Sequence, residues 1–233
     1  MWSSVVSEVI LALDVPSRED ALHLVDAIPE VRWVKLGPVL LTRTGMGLVG
    51  ELVERDLQVF LDLKWHDIPN TVAGAVAAAA DLGVAMATVH TLGGPAMMTA
   101  AAQAAGPVSL VGVTVLTSHT PAEWALTLGR VDQPLGGEVT RLAVLGREAG
   151  LDGVVCSPRE IESVRAVLGE GCPIVTPGIR REGDEAGDQA RVATPAAAAA
   201  AGASHLVVGR PVVLASEPRA AFRTIMEEAR CGH

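Results

Sequence analysis

Asp62, Lys64 and Asp67 lie within FLDLKWHDIPNT, residues 60–71, at the end of an apolar run that reads as a buried strand. Residues two apart on a strand point to one side, so Asp62 and Lys64 share a face. A lysine flanked by aspartates keeps its proton, because nearby negative charge favours the ammonium. It is then a poor Schiff-base nucleophile and a candidate proton donor. Asp67 falls past the strand, in a turn stiffened by Pro69, and is placed either in the same cluster or toward a neighbouring subunit. Lys35 and Lys64 are the only lysines of the chain. That fits either a role that demands an ammonium or a general preference for arginine.

An isolated Asp-x-Lys pair serves a structural ion pair as readily as a catalytic one. The other apolar runs tilt the balance. VILALD (9–14), WVKLG (33–37), VFLDLK (59–64), MATVH (86–90), SLVGVTVL (109–116), GVVCS (153–157), PIVTPG (173–178) and HLVVGRP (205–211) all read as strands. Asp14, Lys35, the Asp62–Lys64–Asp67 set, His90, Thr117 with Ser118, Ser157, Arg180 and Arg210 fall at or just beyond their ends. Buried charges need partners, so ionisable groups at most strand ends imply one shared site. TPGIR and VVGRP suit an anion: Gly178 and Gly209 let backbone N–H groups approach, and Arg180 and Arg210 supply charge-assisted bonds. His66 and His90 lack zinc-ligand spacing and read either as packing residues or as supports to the residues of the site. Cys156 sits in an apolar strand and reads as inert core.

Helices fill the intervals. Ser17 caps a helix over 18–28, with Glu19 and Asp20 suiting its first turn. Thr120-Pro121 with Glu123 opens another, and Thr194-Pro195 opens an alanine run stopped by Gly202. Eight strand-then-helix units with near-continuous apolar strands predict a single-domain α/β (β/α)₈ TIM barrel over 1–233, with an open doubly wound sheet as the alternative. In a barrel the strand ends converge on the face where active sites lie, and the loops after strands seven and eight hold phosphate. The stretch 179–193, charged and glycine-rich, is expected to be the active-site phosphate loop.

Composition narrows the classes. The chain has 233 residues, 49% hydrophobic and only 3% aromatic with no Tyr, so its core is aliphatic. A net charge of -9 argues against nucleic acid or an anionic membrane as partner, though not against one small phosphate. Three cysteines without metal-ligand spacing suit a reduced, cytoplasmic setting. The N-terminal stretch reads as a strand rather than a signal peptide, and no apolar run reaches the length of a membrane helix.

In order along the chain, LALD (11–14), KLG (35–37), FLDLKWHDIPNTV (60–72), ADLGV (80–84), VTVLTS (113–118), LDGVVCS (151–157), VTPGIR (175–180), EAGDQ (185–189) and VVGRPV (207–212) resemble the orotidine 5′-phosphate decarboxylase family, in its bacterial form. The resemblance implies a homodimeric barrel without metal or organic cofactor that converts orotidine 5′-phosphate to UMP. It assigns Asp14 and Lys35 to the ribose hydroxyls and Lys35 also to the charged array. Asp62 would face the substrate carboxylate and Lys64 would protonate C6. Asp67, Ile68 and Thr71 would cross the dimer interface to complete the neighbouring site. Thr117 and Ser118 would meet the pyrimidine, and Pro177, Arg180, Gln189, Gly209 and Arg210 the phosphate side. Trp65 and Leu36 depart from the commoner Phe and Val, and PVLLTRTG (38–45) is a variable stretch. Related sugar-phosphate barrels share Asp-x-Lys-x-x-Asp but place a magnesium-binding Glu where Lys35 stands. A non-catalytic phosphate-binding barrel would lack the charged set.

Overall fold

The computed structural model describes residues 7–129, 134–181 and 191–231. The elements run β1 Glu8–Ala12, α1 Arg18–Ala27, β2 Trp33–Leu36, α2 Pro38–Thr44, α3 Gly47–Glu54, β3 Gln58–Trp65, α4 Pro69–Asp81, β4 Met86–His90, α5 Gly94–Ala104, β5 Ser109–Val113, α6 Pro121–Leu128 and α7 Leu135–Glu148. Then follow β6 Gly153–Val155, α8 Ile161–Leu168, β7 Ile174–Thr176, α9 Pro195–Ala200, β8 His205–Val208, α10 Arg210–Val213 and α11 Pro218–Cys231. Each strand pairs with the next and β8 pairs back to β1, all parallel, so the sheet closes into a (β/α)₈ barrel. Closure removes the open-sheet alternative.

Strand period sorts the apolar side chains into two cores. Ile10, Ala12, Phe60, Met86, Val111, Val175 and Val207 fill the barrel interior, with Trp33 and Val155 against them. Their sequence neighbours, such as Val9, Leu11, Leu61 and Ala87, pack outward against the helices. This is why the strands read as continuous apolar runs: both faces are buried. β6 starts at Gly153, where a Cβ would lie 2.2 Å from the Pro173 carbonyl oxygen, so a glycine there lets β6 come close to the β7 side.

The sequence signals for helix starts hold. Ser17 accepts from the Asp20 N–H, Thr120 and Glu123 form a reciprocal capping box, and Thr194 accepts from the Ala197 N–H. Strand ends differ from expectation. β1 stops at Ala12 rather than Asp14, although the Leu13 N–H still bonds the Lys35 carbonyl at 3.0 Å, so the chain stays extended to the mouth. β5 likewise stops at Val113, because the hydrogen-bond ladder thins where strands open into loops.

His205 opens β8, edge-on to Trp33 with ring centroids 5.2 Å apart, its Nδ1 2.8 Å from Ser204 Oγ. Burial pushes its pKa from 6.5 down to about 4. The unfolded chain therefore takes up this proton at a higher pH than the folded one. The stability that the neutral ring contributes is complete above about pH 6.5 and is lost as pH falls through 4. Urea unfolding midpoints should drop across that window, and drop less in His205→Gln.

Candidate active site

A cavity of about 360 Å³ opens where the strands end. Ala12, Phe60, Val155, Val175 and Val207 of the barrel interior reach it from below. The charged residues stand one inward step higher. Lys35 follows Trp33 by two and Asp62 follows Phe60 by two, so strand parity lifts both into the layer above the apolar plug.

In that layer one carboxylate serves two ammonium groups. Lys64 Nζ donates to Asp62 Oδ1 at 2.8 Å, and Lys35 Nζ lies 3.7 Å from Asp62 Oδ2 and 3.1 Å from Asp14 Oδ1. The side chains of Lys35 and Asp62 are 11% and 14% exposed, whereas Asp14 is 58% and Lys64 36% exposed. The inner pair is therefore fixed by burial, and the outer two groups face the open cavity. At such depth an unpaired charge is costly, so the alternation of sign is what lets four ionised groups coexist.

Asp62 and Lys64 do share a side, but not through regular strand geometry. Leu61 pairs with Ala87 and Trp65 with Val89, and the register slips between them. Lys64 adopts a left-handed φ of 50° in this bulge, a conformation that costs a non-glycine residue on the order of 1 kcal/mol. Within this bulge the Lys64 side chain is held against Asp62, and bulges recur beside functional sites.

The phosphate-side candidates line the same cavity: Pro177, Gly178 and Arg180 after β7, Gly209 and Arg210 after β8. Arg180 is buried and donates to the Ile179 carbonyl at 2.7 Å. Gly178 has a φ of 81°, a left-handed turn that favours glycine. Thr117 and Ser118 form the wall beyond β5. Gln189, and with it 182–190 of the expected phosphate loop, lies outside the described residues. Asp67, Ile68 and Thr71 are not among the cavity lining; they are exposed at the start of α4, with Asp67 Oδ1 accepting the Ile68 N–H at 2.6 Å.

His66 and His90 stack with ring centroids 5.5 Å apart, and burial, aided by the His66, Lys64 and His119 charges, pushes His90 down to about 4. The Cys156 thiol, fully buried, is pushed up to about 12, which fits inert core. Among the described residues no group of three or more His, Cys, Asp or Glu is placed to hold a metal ion.

Three features escaped the sequence. Gly37 leaves room for an ammonium, since a Cβ there would lie 3.2 Å from Lys35 Nζ. Thr88 is wholly buried and bonds both Asp62 and the Lys64 backbone. Arg191 and Glu160 form a buried ion pair at 2.7 Å, with Arg191 also donating to the Leu116 carbonyl at 3.1 Å and Ser157 to Glu160. Together these tie the returning stem of the 179–193 loop to the walls after β5 and β6. Ala193 bridges Ile179, closing that stem.

A profile of the orotidine 5′-phosphate decarboxylase / HUMPS family matches residues 7–225. The chain belongs to this family. It is 51% identical over 229 residues to the orotidine 5′-phosphate decarboxylase of Alkalilimnicola ehrlichii, covering 95% of this chain and 96% of that protein. It is 50% identical over 224 residues to that of Halorhodospira halophila, covering 94% of each. The crystal structure of orotidine 5′-phosphate decarboxylase from Lactobacillus acidophilus superimposes with a TM-score of 0.84 at 35% identity, over 96% of this chain and 99% of that one. The departures from the commoner family residues, Leu36 and Trp65, pack between strands and helices, away from the cavity lining.

The buried pair yields a stability test. Glu160→Gln leaves the Arg191 guanidinium without its counter-charge, and breaking a buried pair costs roughly 3–5 kcal/mol. Denaturant unfolding should show a loss of that order, with the unfolding slope unchanged.

Proposed function

We propose that the chain decarboxylates orotidine 5′-phosphate to UMP and CO₂ in de novo pyrimidine synthesis. The observation that carries this reading is the shared Asp62 carboxylate, bonded by Lys64 and flanked by Lys35, in a cavity that Arg180 and Arg210 also line. Family membership and the names of close relatives supply the substrate. The pyrimidine rests between the apolar floor and Thr117 and Ser118. Asp14 and Lys35 take the ribose hydroxyls. Pro177, Arg180, Gly209, Arg210 and Gln189 engage the phosphate, and the 179–193 loop of this single domain closes over it.

The chemical step is electrostatic. The bond from C6 to the carboxylate carbon breaks, CO₂ leaves, and the electron pair stays on C6. That carbanion has no adjacent carbonyl to delocalise it. The Lys64 ammonium stands where the charge develops, stabilises it more than the ground state, and gives C6 its proton. Asp62 opposes the substrate carboxylate, a repulsion relieved as CO₂ departs. Phosphate contacts remote from C6 supply the binding energy that holds the ring in place and excludes water. No metal enters this scheme: a divalent cation among these carboxylates would displace or face two ammonium groups.

The chain acts as a homodimer in the cytoplasm. Ile68 is 67% exposed beside Asp67 and Thr71 at the start of α4, a large apolar side chain left open on a single copy. There these three residues complete the neighbouring subunit's site. No helix among the described residues is long and apolar enough to cross a membrane.

Ultraviolet-monitored turnover of orotidine 5′-phosphate by purified protein, with and without EDTA, is the direct test. Chelator-insensitive decarboxylation is expected. Absence of turnover, or turnover only with Mg²⁺, would transfer the chain to a sugar-phosphate substrate or a binding role. Lys64→Ala should abolish turnover, and Arg210→Ala should lower kcat/KM by about 10- to 100-fold through loss of a charge-assisted phosphate contact. For the shared site, Lys64→Ala and Asp67→Ala subunits, each impaired alone, should regain activity when mixed. A mixed dimer keeps one site with both native residues only if Asp67 acts across the interface.

A further inference from the structure

The bulge at Lys64 leaves a backbone problem, and one side chain answers it. Between the Leu61–Ala87 and Trp65–Val89 pairings, Asp62, Leu63 and Lys64 stand opposite Thr88 alone. A buried backbone N–H in that gap has no partner in the ladder. The Lys64 N–H instead donates to Thr88 Oγ1 at 2.7 Å, and the same hydroxyl donates to Asp62 Oδ1 at 3.2 Å. Thr88 is 0% exposed and follows the interior residue Met86 by two, as Asp62 follows Phe60, so it points into the barrel at the level of Asp62.

We propose that Thr88 is a positioning residue for the decarboxylation: its hydroxyl fixes the Lys64 backbone in its left-handed conformation and orients the Asp62 carboxylate that Lys64 Nζ bonds. This rests on the reading of the reaction given above. A hydroxyl suits the place because it accepts and donates at once, which neither a carbonyl nor an amide N–H can do. The contact closes a ring: Thr88 Oγ1 to Asp62 Oδ1, Asp62 Oδ1 to Lys64 Nζ, and Lys64 N back to Thr88 Oγ1. With the ring intact, the strained Lys64 backbone and the proton-donating ammonium are set together. With it open, the Lys64 backbone loses the contact that holds its left-handed conformation, and the ammonium loses its fixed place against Asp62. Thr88 is not among the residues that line the cavity, so its loss should lower the chemical step more than binding.

The test compares Thr88→Val, close in shape but without a hydroxyl, with Thr88→Ser, which keeps the hydroxyl. Thr88→Val should lower kcat for orotidine 5′-phosphate by about 10- to 100-fold, the range set by misplacing a catalytic group. Its KM should stay near native, and amide exchange at Lys64 N–H, followed by NMR, should become fast. Thr88→Ser should restore both the rate and the slow exchange. Native kcat in Thr88→Val, or equal losses in the Val and Ser variants, would overturn the proposal. If Thr88→Val does not fold, Thr88→Cys replaces it, carrying a thiol that is a weak donor and acceptor. A Cys variant as active as the Ser variant would then sink the idea, and a kcat well below it would support it. Absence of turnover in the native protein would instead overturn the reading of the reaction. The exchange arm still decides in that case whether the Thr88 hydroxyl holds the bulge.

Discussion

Asp62 is one carboxylate between two ammonium groups, and much of the site follows from keeping it charged inside a barrel. A buried ion alone is too costly to hold, so Lys35 and Lys64 come to it from two strands, and Asp14 balances Lys35 in turn. The pairing fixes which strands must be neighbours. β2 lies between β1 and β3 in the closed sheet, so Lys35 can reach Asp14 on one side and Asp62 on the other. An open sheet with these strands apart could not assemble the array. The same charges that make the site chemically useful therefore also constrain the topology around it.

Two buried polar contacts support the charged residues and the walls around them. Thr88 holds the β3 bulge from the adjacent strand, where period-two pairing has broken down. Arg191 and Glu160 hold the walls, joining the stem at 191–193 to the segment before Thr117 and Ser118. Each support is a buried polar group with specific partners, and Thr88 bonds the left-handed Lys64 backbone, which propensity alone would not choose. The apolar plug of Phe60, Met86 and its neighbours complements them by excluding water from beneath the charges, which strengthens every interaction in the layer above.

Much of this was legible along the chain. Continuous apolar runs at regular intervals gave eight strands, because a parallel barrel buries both faces of each. Caps at Ser17, Thr120 and Thr194 marked helix starts, because their side chains bond local N–H groups and need no tertiary partner. Asp14, Lys35, Asp62, Lys64, Arg180 and Arg210 were recognisable as candidates because charged residues at the ends of buried strands require a common compensating site. Asp67, Ile68 and Thr71 show the other side of that reasoning: a single chain leaves them exposed, and only the proposed second copy gives them a role.

The sequence by itself determined the strand and helix pattern, the aliphatic core and the charged residues of the cavity mouth, since period, capping and the cost of burying charge all act over a few residues. Tertiary structure alone decided how those residues meet. The left-handed turn at Lys64 depends on a hydroxyl 24 residues away in sequence. The vacant side of Gly37 matters only because the Lys35 ammonium folds back over it. Arg191 reads as one more arginine after a charged loop until the fold sets it 2.7 Å from Glu160. Contacts of this kind have no local signature, because the partner that gives each residue its meaning is brought near only when the barrel closes.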